Sequence, residues 1–127
     1  MARVLVVEDH EVNLELMRYL LTSFGHDVVT APDGEVAVRA FDREPFDLIV
    51  CDVHMPKMDG LQFLAAIRSR AQIAIPPVVA VTASAMVGDR EQLLKAGFNG
   101  YVSKPIEPTT FVQQLEAFMN ERRTAEQ

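Results

Sequence analysis

Short unbroken apolar runs alternate along this chain with longer stretches whose apolar residues recur every three or four positions. The first run is Val4-Leu5-Val6-Val7. Continuous apolar residues, in place of in–out alternation, mark a strand covered on both faces. Behind it, Val12, Leu16, Leu20 and Phe24 stand four apart and predict a helix that stops at Gly25. Asp27-Val28-Val29-Thr30 predicts a weaker second strand, Pro32-Asp33-Gly34 a turn, and Val36, Ala37, Ala40 and Phe41 the stripe of a second helix. Leu48-Ile49-Val50-Cys51 is the third strand, followed by a loop over residues 56–60 and a helix striped by Leu61, Leu64, Ala65 and Ile67. Pro76-Pro77 introduces a fourth strand, Val78-Val79-Ala80-Val81. Ser84 to Ala96 predicts a helix weakened by Gly88 in its first turn and stopped by Gly97. Tyr101-Val102-Ser103 is a short fifth strand, and Phe111, Leu115 and Phe118 stripe the last helix. Glu121 to Gln127 is polar and expected to fray, so the domain is drawn over residues 1–120 with a tail over 121–127.

Five βα units in series, without repeat or linker, predict an α/β fold: a five-stranded parallel sheet, doubly wound, with helices on both faces. Ligands of such sheets bind at the carboxyl ends of the strands, where the strand order changes direction. The residues following the long runs therefore matter most. They are Glu8 and Asp9 after the first strand, Asp52 after the third, Thr82 after the fourth and Lys104 after the fifth. Taken singly, each has an ordinary explanation: Asp9 as the cap of the first helix, Thr82 or Ser84 as that of the fourth, Lys104 as a solvated loop lysine. Together they bring three carboxylates, a hydroxyl and an ammonium to one edge.

Composition narrows the chemistry. The 127 residues are 49% hydrophobic and 24% charged, an ordinary balance for one globular domain. A net charge of −6 with no basic face argues against nucleic acid or an anionic membrane as direct partner. The single cysteine, the lack of a signal-peptide pattern and the lack of a long apolar run lead to an expected cytoplasmic location. Cys51, inside a buried strand, reads as a small core residue. His10, His26 and His54 are too scattered for a metal-ligand spacing, and Met55, Met58 and Met86 read as loop packing.

Three clustered carboxylates repel one another unless a cation neutralises them. Mg²⁺ suits the set, because it takes one or two carboxylates and completes its shell with waters and phosphate oxygens; Mn²⁺ is the expected substitute. The division of labour we expect makes Asp9 and Asp52 direct ligands, Glu8 a ligand through water, and the His54 backbone carbonyl the remaining protein donor. Asp52 is then placed to attack phosphorus as a carboxylate nucleophile. Lys104 would face the phosphoryl oxygens with its charge and Thr82 with its hydroxyl.

Four separated segments carry a resemblance. Val6-Val7-Glu8-Asp9, the run from Cys51-Asp52-Val53-His54 through Met55-Pro56-Lys57-Met58-Asp59-Gly60, Val81-Thr82-Ala83 and Ser103-Lys104-Pro105 together resemble the receiver domain of bacterial response regulators. The likeness covers nearly the whole chain and is strongest to single-domain regulators and hybrid-kinase receivers. It implies a flavodoxin-like receiver architecture and a phosphoryl group passed to Asp52 from a sensor histidine kinase or histidine phosphotransfer protein. It implies a switch made of Thr82 and Tyr101, a cis bond between Lys104 and Pro105, and a small residue, Ala83, leaving room for the phosphoryl group. His54 and Ser84 occupy positions that tune dephosphorylation. Output would pass to a downstream protein through the face of the fourth helix, fifth strand and fifth helix, with Arg90, Leu93, Leu94 and Val102, from a monomer or a phosphorylation-dependent dimer. Glu8 departs from the commoner Asp, but its longer arm still reaches a metal-bound water. Such a domain is a signalling module that catalyses only its own phosphorylation and dephosphorylation.

Two rival functions share the architecture. A Mg²⁺-dependent phosphatase resembling the haloacid dehalogenases would carry a second Asp two residues after the nucleophile, where this chain has His54. A flavodoxin-like electron carrier needs a Ser/Thr/Gly-rich phosphate loop after the first strand, where Glu8-Asp9-His10-Glu11 would repel a phosphate. A receiver fragment of a hybrid histidine kinase remains an alternative context, although Met1 and the polar end favour a stand-alone protein.

Overall fold

A computed structural model describes residues 2–70, 75–83 and 87–126. Five strands, β1 (Arg3–Val7), β2 (Asp27–Ala31), β3 (Leu48–Asp52), β4 (Val78–Thr82) and β5 (Gly100–Ser103), alternate with α1 (Glu11–Ser23), α2 (Gly34–Arg43), α3 (Gly60–Arg70), α4 (Val87–Ala96) and α5 (Phe111–Glu126). The strands pair in parallel in the order β2-β1-β3-β4-β5. The chain starts one strand in from the edge of its sheet, steps out to β2, then returns past β1 to build the other side. The reversal leaves a crevice at the carboxyl ends of β1 and β3.

Each strand feeds two cores, because successive side chains point to opposite faces. Leu5, Val7, Ile49, Cys51, Val78 and Ala80 pack with Ala37, Phe63, Leu64, Ile67 and Leu93, on the side of α2, α3 and α4. Val4, Val6, Leu48, Val50, Val79 and Val81 pack with Met17, Leu21, Phe111 and Leu115, on the side of α1 and α5. Burial on both faces explains why these strands read as continuous apolar runs. Cys51 lies in the first core, where burial pushes its thiol well above the usual range, so the core reading of it holds. Gly25 and Gly97 stop α1 and α4 with φ of 87° and 112°. In both, the amide after the glycine closes on a carbonyl five residues back, His26 on Leu21 and Phe98 on Leu93, the paired-bond cap that favours glycine.

Several sequence expectations are corrected. The stripe of α1 is not Val12-Leu16-Leu20-Phe24: Val12 is 79% and Phe24 55% exposed, whereas Met17, Leu20 and Leu21 are buried. Residues four apart drift by about 40° per step around a helix of 3.6 residues per turn, so a pure four-residue spacing winds off the core. Phe63 in α3 is a core residue and Ala65 is exposed. Leu93 and Val102, expected on the output face, are each only 5% exposed. They are divided between the two cores, because α4 and β5 need these side chains as anchors. Ser84 and Met86 lie outside the described residues.

Candidate functional site

Parallel pairing of β1 with β3 sets Val7 beside Cys51, so the residues that follow, Glu8 and Asp52, emerge side by side. Glu8 is fully buried and Asp52 is 3% exposed, while Asp9 reaches solvent. One carboxylate oxygen from each of the three lies within 4.8 Å of the others. The Glu8 amide donates to the Ala31 carbonyl at 3.1 Å, which ties the acidic pair to the end of β2. Asp9 does not cap α1: the N-cap is His10, and no side chain serves it.

Lys104 enters from β5. Its amide donates to the Thr82 carbonyl at 2.8 Å, and its Nζ stands 3.0 Å from Glu8 Oε1 and 3.3 Å from Asp52 Oδ2. The bond between Lys104 and Pro105 is cis. The His54 amide donates to Asp52 Oδ1 at 3.2 Å. Thr82, 2% exposed, ends β4 and lines a cleft of about 230 Å³ shared by Val53, His54 and Leu61 with Asp89, Gln92 and Leu93 of α4. Ala83 follows it, exposed. Tyr101 is half-buried in β5 and packs toward α4, with the Arg90 guanidinium over its ring.

The electrostatics reflect crowding. Burial, and then the Asp52 carboxyl, push Glu8 from 4.5 up to about 7 against the pull of Lys104. Burial acts the same way on Asp52, but Glu8, the Lys104 ammonium and the His54 amide outweigh it and hold Asp52 below the usual range. Lys104, destabilised as a cation by burial, is raised by its two carboxylate neighbours. Both Glu8 oxygens are buried without a hydrogen-bond partner of good geometry, the Lys104 contact being an ion pair only. Orphaned carboxylate oxygens beside two further acids fit a hard divalent cation, which Glu8, Asp9 and Asp52 could hold.

One positioning residue was not singled out by its sequence. Asp59 and Gln62 cap α3 reciprocally, Gln62 N–H to Asp59 Oδ1 at 2.8 Å and Asp59 N–H to Gln62 Oε1 at 2.9 Å. That cap sets Gly60 against the strand: a Cβ there would meet the Asp52 carbonyl oxygen at 2.7 Å and Val53 Cα at 2.9 Å. The Asp-x-x-Gln spacing was the available signal; the close approach was not visible from it.

Residues 4–116 match the response regulator receiver domain, and the chain belongs to that family. It is a receiver of two-component signalling, of the kind found in response regulators and in sensor kinases. Sensor protein GacS of Pseudomonas syringae pv. syringae is 43% identical over 115 residues, which cover 87% of this chain and 13% of that protein. The chain thus spans about an eighth of the length of that relative. Polar-differentiation response regulator DivK of Brucella ovis is 31% identical over 118 residues, covering 93% of this chain and 96% of DivK. The receiver domain of sensor histidine kinase PA1611 from Pseudomonas aeruginosa PAO1, solved with a magnesium ion coordinated in its active-site cleft, shares the fold with a TM-score of 0.84. It is 34% identical, over 94% of this chain and 98% of that one. Among the described residues, no helix is long and apolar enough to cross a membrane.

Proposed function

We propose that Asp52 is the phospho-acceptor of this receiver and that its partner is a histidine kinase or a histidine phosphotransfer protein. The observation that carries the reading is the convergence of Glu8, Asp9 and Asp52 within 4.8 Å, with Lys104 Nζ 3.3 Å from the acceptor. Asp9 and Asp52 would hold Mg²⁺, with Glu8 acting through water and the His54 carbonyl completing the protein's share. When bound, the cation offsets the charge spread over the phosphoryl oxygens. An Asp52 carboxylate oxygen forms the new bond to phosphorus as the P–N bond of phosphohistidine breaks, its electron pair leaving with the imidazole. The low position of the Asp52 carboxyl keeps it ionised at neutral pH, the form that attacks phosphorus. Lys104 and the Thr82 hydroxyl meet the transferred oxygens. Hydrolysis returns the carboxylate, at a rate set in part by His54, Ala83 and Ser84.

Output follows from Thr82 and Tyr101, which change together and alter the surface of α4, β5 and α5 that a downstream protein reads. The test is intact mass after incubation with acetyl phosphate and Mg²⁺, beside Asp52→Asn and a metal-free control. One added phosphoryl group that requires both Asp52 and Mg²⁺ is the expected result. An unchanged mass, together with no response to the phosphoryl mimic beryllofluoride, overturns the assignment.

The higher identity to a segment of GacS than to DivK supports a second reading, a receiver within a hybrid kinase. An immunoblot of the native polypeptide separates the two contexts: a band near 14.2 kDa means a free regulator, and a several-fold larger one a hybrid kinase.

A further inference from the structure

The contact between α4 and β5 contains an interaction that the phosphoryl chemistry does not use. The Arg90 guanidinium carbon lies 5.2 Å from the centroid of the half-buried Tyr101 ring, within the roughly 6 Å over which a cation is attracted to an aromatic face. Among the described side chains of α4 only Leu93 is buried, and Leu94 is 51% exposed. At its far end, Arg68 of α3 donates Nη1 to the Ala96 carbonyl at 3.0 Å. Beside the helix lies the cleft of about 230 Å³, with Thr82 on the strand side and Leu93 on the α4 side. Leu93 also belongs to the core that Tyr101 packs against. A cavity of about 150 Å³ already accepts a benzene ring, so the cleft has room for an aromatic side chain.

We propose that Arg90 is a positioning residue for the switch, holding the Tyr101 ring in the position seen here and so setting how readily the domain enters its phosphorylated conformation. The inference rests on the function proposed above, in which Tyr101 moves with Thr82. An attraction present only in the resting conformation lowers the fraction of chains competent for the activated one, and apparent affinity for a phosphoryl mimic falls by that fraction. A cation–aromatic contact at a solvent-exposed site corresponds to about a two- to fivefold change in such an equilibrium.

The test is a beryllofluoride titration of the full chain in saturating Mg²⁺, with the midpoint read in every variant from the fluorine resonances of the bound beryllofluoride and the Tyr101 ring followed by fluorotyrosine labelling. Tyr19→Phe assigns the Tyr101 resonance, since the chain has two tyrosines. The parent Tyr101 resonance should move on titration. Arg90→Gln should lower the midpoint about two- to fivefold, and Arg90→Lys, which keeps the charge but loses the flat face, should recover part of the difference. With Tyr101→Leu as background, Arg90→Gln should leave the midpoint unchanged. An unchanged or raised midpoint in Arg90→Gln, or an equal effect in the Tyr101→Leu background, overturns the role of Arg90 alone. A parent Tyr101 resonance that stays still while beryllofluoride binds overturns the switch, and the role of Arg90 with it. Absence of beryllofluoride binding overturns the phospho-acceptor reading on which both rest.

Discussion

At the scale of single residues, Glu8 controls how the site responds to pH. Its carboxyl moves from 4.5 to about 7 on folding, so between those values the metal-free folded chain binds more protons than the unfolded one. Stability contributed by that proton is present below about pH 4.5 and is lost as pH rises through 7. Asp52 acts in the opposite sense: its lowered carboxyl supports the fold above its ordinary value of 3.8 and loses that contribution as pH falls. The pair alone therefore favours a stability maximum near pH 4–5. Glu8→Gln removes the buried titration, and urea unfolding should find that variant more stable than the parent at pH 8 without metal, and no more stable at pH 4.5. Cation binding must expel the same proton. Calorimetry in buffers of different ionisation enthalpy should detect proton release on adding Mg²⁺ at pH 6 and almost none at pH 8.5.

At the scale of elements, two glycines make opposite predictions from the same substitution. Gly60→Ala drives a methyl into the backbone of Asp52 and Val53, which cannot swing aside as a side-chain tip would. The expected loss is about 1–3 kcal/mol in chemical denaturation. Because the displaced strand carries Asp52, the proposed acceptor, phosphorylation by acetyl phosphate should slow as well. Gly88→Ala, in the first turn of α4 with nothing within 4 Å of the added carbon, should instead stabilise by at most about 1 kcal/mol. The glycine stops of α1 and α4 were the most legible parts of the fold, because Gly25 and Gly97 act through local backbone geometry that a few adjacent residues determine.

At the scale of the whole molecule, one buried histidine joins segments far apart in sequence. His26 Nδ1 accepts the Ala2 amide at 3.1 Å, so Nε2 carries the proton toward Glu116 of α5 at 2.9 Å. His26→Phe keeps bulk but strands the buried Ala2 amide and releases Glu116 to solvent. A loss of about 1–3 kcal/mol is expected, with a double-mutant cycle against Glu116→Gln showing coupling. Cation binding also acts globally. At 100 times its Kd, Mg²⁺ should contribute about 2.7 kcal/mol, on the order of a 10 °C rise in Tm for a domain of this size. EDTA should reverse the rise, and Asp52→Asn should shrink it.

Strand and helix order, the parallel sheet and the identity of the edge residues were all determined by the sequence. The reason is that a strand covered on both faces must be apolar throughout, so the first polar residue after each run marks the carboxyl edge. Glu8, Asp52 and Thr82 follow from that rule alone, while in β5 the first polar residue is Ser103 and Lys104 stands one place beyond it. Tertiary structure decided what no local pattern encodes. It placed Leu93 and Val102 inside, turned Val12 outward, brought Gly60 against the end of β3 and stacked Arg90 on Tyr101. Each of these depends on a rotation or approach set by the packing of one element against another, where one helical step of drift or one missing Cβ changes which side chain meets which.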